Sequence, residues 1–155
     1  IGALIANLYL NYFSHAHQPL AGSVHYSQWL LQTIDDLWSK FEAKFLSLWS
    51  EHEQSANVAF MGKDLTGCSH QTFRHVFIEQ VLSDTLGFAA CKMIRRILGV
   101  AKVADFMQFE DQCLRAKLET QALKMATTML VNRQAYTNIA DVNKLAESVN
   151  SDILK

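Results

Sequence analysis

Apolar residues recurring at steps of three and four along nearly the whole of this 155-residue chain constrain its fold more than any other feature. Leu30, Ile34, Leu37, Trp38, Phe41, Phe45, Leu48 and Trp49 follow that spacing. They predict one helix from about Tyr26 to Glu53, with Gln32, Asp35, Asp36, Lys40 and Glu42 on the opposite face. Trp38 and Trp49, eleven residues or three turns apart, fall on the inner stripe, which assigns them to core packing, whereas Trp29 is offset from it. The only proline, Pro19, lies with Gly22 in a stretch from His15 to Ser23 that reads as a loop.

The same periodicity places the other elements. Ile1 to Leu10 is helical in pattern and so apolar, relieved only by Asn7 and Asn11, that burial on nearly all sides is expected. No capping residue precedes it, so the chain reads as starting inside a larger structure. Gln54 to Ser69, polar and containing Gly62 and Gly67, reads as a connecting loop. A third helical region begins near His70 and passes through Phe73, Phe77, Val81 and Leu82. A fourth follows Asp105, with Leu114, Leu118, Ala122, Met125, Ala126, Met129 and Leu130 as its inner stripe, and a last helix runs from about Ile139 to Val149. There is no strand alternation, repeat or low-complexity tract, so residues 1–155 are expected to form a single all-α region.

Composition excludes several function classes. Half of the residues are hydrophobic and 19% charged, which is globular rather than disordered, and the net charge of −1 gives no broad footprint for nucleic acid or an anionic membrane surface. No apolar run reaches the ~18–20 residues needed to span a bilayer. No Lys or Arg precedes Lys40, so the basic start of a secretory signal is missing. Cys68, Cys91 and Cys113 have neither disulfide-framework nor zinc-knuckle spacing and fit free thiols in a reducing, cytoplasmic compartment.

Cations cluster in one place. In Ser83-Asp84-Thr85-Leu86-Gly87-Phe88-Ala89-Ala90-Cys91-Lys92-Met93-Ile94-Arg95-Arg96-Ile97-Leu98-Gly99, the residues Lys92, Arg95 and Arg96 stand at i, i+3 and i+4 and share a flank, with Met93, Ile94, Ile97 and Leu98 on the other. The cations are placed for an anion or polar ligand. They also suit the end of a helix, since Gly99 is a natural C′ residue and basic side chains in a last turn complement free carbonyls. Gly87, inside this helical pattern, costs roughly 1 kcal/mol relative to Ala, so either the helix breaks there or another backbone packs against it.

Other polar groups carry less. His15 and His17 flank Ala16 without a third metal partner and read as solvated, as does Glu51-His52-Glu53. There is no Gly-rich phosphate loop, nucleophile elbow, His-Glu-x-x-His or paired-Asp metal motif, so no catalytic or metal-binding residue is assigned.

Three blocks taken in order, Ile1 to Leu8, Trp38-Ser39-Lys40-Phe41 with Phe45 to Trp49, and Asp84 to Ala101, resemble the C-terminal part of the large lobe in the S-methyl-5-thioribose kinase (methylthioribose kinase) family. The resemblance implies the helical C-terminal portion of a protein-kinase-like α+β fold of the aminoglycoside and choline kinase type. It implies ATP-dependent phosphorylation of the anomeric hydroxyl of methylthioribose in methionine salvage, with Mg²⁺ bridging the phosphates, in a cytoplasmic homodimer. ATP and Mg²⁺ would be held mainly by a nucleotide-binding lobe, a catalytic aspartate and a metal loop upstream of Ile1, so this chain alone is expected to be inactive. The family's twin-arginine motif falls on Arg95 and Arg96, which the resemblance assigns to substrate binding. Alternatives are another small-molecule kinase of the same fold, acting on an amino alcohol, an aminoglycoside or homoserine, and a non-catalytic helical interaction module.

Overall fold

The first helix, α1 (Gly2–His15), supplies five fully buried side chains to the core. The computed structural model describes residues 1–15, 23–52, 70–100 and 104–151. After α1 come α2 (Ser23–His52), α3 (His70–Leu98), α4 (Ala104–Met107), α5 (Gln112–Val131), a 3₁₀ turn (Arg133–Ala135) and α6 (Ile139–Ser151). The described residues contain no strand, as the periodicity predicts. The expected loops around Pro19 and from Gln54 to Ser69 lie outside them, as do His17, Glu53 and Cys68.

Ile5, Ala6, Tyr9, Leu10 and Phe13 of α1 are fully buried. They meet Leu86, Ala89, Ala90 and Met93 of α3, Leu118 to Met129 of α5, and Leu30 and Ile34 of α2 in one core cluster. Each fully buried Leu, Ile, Met or Phe contributes about 1.5–3 kcal/mol of transfer free energy. Small side chains let the helices approach. A Cβ on Gly2 would stand 2.6 Å from the Thr85 carbonyl oxygen and 3.0 Å from Phe88 Cβ, so the start of α1 crosses α3 at a distance only glycine permits.

One polar chain threads the core. Tyr9 Oη donates to Asn143 Oδ1 at 2.8 Å, and Asn143 Nδ2 donates to the Leu31 carbonyl at 3.0 Å, joining α1, α6 and α2. Burial, with help from the Asp35 and Tyr136 charges, raises the Tyr9 pKa well above the usual phenol value, so the hydroxyl keeps its proton. Tyr12, next on α1, is pushed up to about 12, chiefly by burial and secondarily by Glu147.

Beyond this core the outer halves of α2 and α3 meet through aromatic rings. Phe45 stacks on Phe77 at 5.9 Å, and Trp49 stands edge-on to Phe77 at 5.0 Å and to Phe73 at 6.0 Å. Both tryptophans expected on the inner stripe pack, Trp38 in the core and Trp49 in this half-buried cluster. Trp29 is 57% exposed, in keeping with its offset position.

Three expectations are corrected. The first helix is not buried all round at its start: Leu4 is 50% exposed and Ile1, Ala3 and Asn7 also face solvent, whereas from Leu8 to His15 every residue is buried or half-buried. Leu48 too is partly exposed, at the edge of its stripe. The fourth helical region is two helices, since Asp111 starts α5 afresh, accepting from the backbone N–H of Cys113 at 2.8 Å and of Leu114 at 3.2 Å.

Candidate functional site

The core sets the rotation of the last turn of α3. Met93 and Ile97, four residues apart, are both buried, and Ile94 packs beside them half-buried. At 100° per residue Arg95 then lies roughly 200° from Met93 and points away from the core. It is exposed, and Arg96 is half-buried. Leu98 does not join the apolar flank as expected. It is 71% exposed, because it lies a further 100° on from Ile97 where the helix stops.

The three cations part company. Lys92 Nζ donates to the Ala3 carbonyl oxygen at 2.9 Å, which ties α3 to α1 and gives this lysine a structural partner in place of a ligand. Arg95 and Arg96 form no ion pair with any described carboxylate. The Arg96 Nε is buried without a hydrogen-bond partner, and an unsatisfied donor of this kind costs about 1–3 kcal/mol.

Backbone groups meet part of the need for a helix cap. The Gly99 N–H donates to the Arg95 carbonyl at 2.9 Å, and a Cβ on Gly99 would collide with that same oxygen, so the residue must be glycine. With that carbonyl capped by the main chain, the Arg95 guanidinium is left for another partner.

Gly87 follows neither course expected of it. α3 runs through it unbroken, and what packs there is a side chain: a Cβ on Gly87 would stand 3.4 Å from Arg133 Cδ and 3.5 Å from its Nη1. Sequence reasoning missed Arg133 because it sits on a 3₁₀ turn without periodicity, 46 positions along the chain from its partner.

The other candidates resolve as local structure. His15 Nδ1 lies 2.9 Å from Ser14 Oγ and 3.0 Å from the Asn11 carbonyl, and its ring meets Tyr26 edge-on. Among the described residues no three His, Cys, Asp or Glu side chains come together as a metal site, and Cys91 and Cys113 are free and exposed. Open grooves lie between α2 and α6, lined by Gln32, Asp35 and Asn143, and beside the start of α1, lined by Ile1, Val81 and Phe88. Neither reaches Arg95 or Arg96. No described helix is long and apolar enough to cross a membrane.

Methylthioribose kinase 2 of Oryza sativa subsp. japonica is 35% identical over 156 residues, covering 98% of this chain and 36% of the rice protein. Methylthioribose kinase 1 of the same plant gives the same figures, and the methylthioribose kinase of Escherichia coli O45:K1 is 34% identical over 95% of the chain. This chain is a homologue of the methylthioribose kinases. The likeness to them runs through every described helix and is not confined to the arginine turn. The chain spans about a third of the length of these curated methylthioribose kinases. No family model matches it.

Proposed function

We propose that these residues are the C-terminal part of the large lobe of an S-methyl-5-thioribose kinase. The whole enzyme would move the γ-phosphoryl group of ATP to the anomeric hydroxyl of methylthioribose in methionine salvage, as a cytoplasmic homodimer. The observation that carries this reading is the likeness to methylthioribose kinases over 98% of the chain. The two adjacent arginines without acidic partners support it at the level of the site.

Within this reading Arg95 and Arg96 bind substrate. A guanidinium offers a planar fork of donors to sugar hydroxyls and phosphoryl oxygens, and it stabilises charge that builds on a transferring group. Neighbouring helical residues point about 100° apart, so the two divide the work. Arg95, exposed, makes the direct contact, and Arg96, half-buried with its Nε sealed, positions the site.

ATP and Mg²⁺ are implied by the same reading. The two arginines suit phosphate oxygens. The described residues gather no carboxylate cluster fit for Mg²⁺, and no step here is routed through the metal.

The test is kinetic, in the full-length enzyme that contains this chain. Arg95→Ala and Arg96→Ala should each lower kcat/KM by about 10²-fold or more, the scale of losing one transition-state donor, with the circular dichroism spectrum unchanged. Near-normal kcat/KM in both variants would overturn the assignment.

A further inference from the structure

The head of α1 is fastened to α3 at two adjoining points. Gly2 sits so close that a Cβ on it would stand 2.6 Å from the Thr85 carbonyl oxygen, 3.0 Å from Phe88 Cβ and 3.3 Å from the Ala89 nitrogen. One residue on, the Ala3 carbonyl oxygen accepts from Nζ of the half-buried Lys92 at 2.9 Å. Thr85, Ala89 and Lys92 follow one another at steps of four and three, so the head of α1 lies along one stripe of α3. Arg96 is the next residue on that stripe, about 40° round the helix from Lys92 and roughly 6 Å further along its axis.

These two contacts differ in kind from the core beneath them. Met93 and Ile97 hold the end of α3 by burial, which is non-directional. A hydrogen bond has a set length and angle, and the Gly2 contact is with backbone, so together they fix where the stripe stands along and around the helix axis. α3 ends at Leu98, two residues beyond Arg96, so its own helix steadies this arginine mainly from the Lys92 side. No described carboxylate pairs with Arg96, which leaves its direction to the helix that carries it.

We propose that Lys92 is a positioning residue for phosphoryl transfer: by tying α3 to the head of α1 it holds Arg96 where the reaction needs it, an inference that rests on the kinase reading. Phosphoryl transfer is catalysed by positioning and electrostatics, and a misplacement of about 1 Å can cost about 10²-fold in rate. Lys92 acts through Arg96 and makes no substrate contact of its own, because its ammonium is engaged by Ala3.

The experiment is a double-mutant cycle in the full-length enzyme that contains this chain, with kcat and KM for methylthioribose and for ATP read separately. Lys92→Met keeps an unbranched stem and removes the donor. It should lower kcat about tenfold with KM for ATP unchanged. In an Arg96→Ala background the same substitution should cost less than about twofold, because the group it positions is gone. Lys92→Arg keeps the charge and changes the donor geometry. It should give a smaller loss with the same dependence on Arg96, and it carries the test if the methionine variant does not fold. An equal loss in both backgrounds is what a general weakening of the fold, or a direct contact of Lys92 with substrate, would produce, and it overturns the proposal. An undiminished kcat in Lys92→Met overturns it too, and both results leave the kinase reading intact. Near-normal kcat/KM in Arg96→Ala alone is the separate failure of that reading at this turn, and it removes the proposal with it.

Discussion

Two glycines of α1 and α3 show how far one residue's surroundings decide its worth. At Gly2 an added Cβ would press on backbone, the Thr85 carbonyl, which cannot step aside. Gly2→Ala is therefore expected to cost about 1–3 kcal/mol in chemical denaturation, the usual range for overpacking. At Gly87 the added methyl meets only the far end of the flexible Arg133 side chain at ordinary contact distance. Gly87→Ala should be neutral or stabilise by up to about 1 kcal/mol through helix propensity. Asp35 offers a second test at this scale. Burial first, and the neighbouring Asp36 charge second, raise its pKa. The folded state thus favours the protonated form, and ionised Asp35 subtracts stability at every pH above its raised pKa. Asp35→Asn should accordingly raise Tm at neutral pH, and the gain should fade as pH falls through the carboxylate range. A constant gain at all pH values would mean that its charge is not the cause.

At the scale of elements, helix identity and extent are legible in the sequence and helix partnership is not. The ends of α2, α3 and α6 fall within a few residues of where periodicity puts them, because each needs a continuous apolar stripe to be held at all. The arm where Phe45 and Trp49 meet Phe73 and Phe77 could not be read that way. A stripe shows that a helix face is buried, without naming what covers it. Because this cluster lies outside the main core, Phe45→Ala should speed hydrogen exchange in the outer halves of α2 and α3. Amides around Tyr9 should keep their protection. Equal loss of protection at both places would show the arm and core to be one cooperative unit.

For the whole molecule, the described residues include two unpaired arginines on the α3 turn and no cluster suited to a metal, within a chain about a third as long as its relatives. The isolated chain is therefore expected to transfer no phosphate from ATP to methylthioribose in a coupled assay, even when folded; measurable turnover would refute this. The sequence by itself determined that the chain is helical, where most helices lie, and which turn carries the arginines, because periodicity, caps and local charge spacing are written within a few residues of one another. Only the tertiary structure decided that Lys92 is taken by the Ala3 carbonyl, that Asn143 bridges Tyr9 to Leu31, and that Gly87 receives Arg133. Those pairs are 46 to 134 positions apart. Their meeting depends on how packed helices are turned about their axes, which the summed burial of the core fixes and no local pattern records.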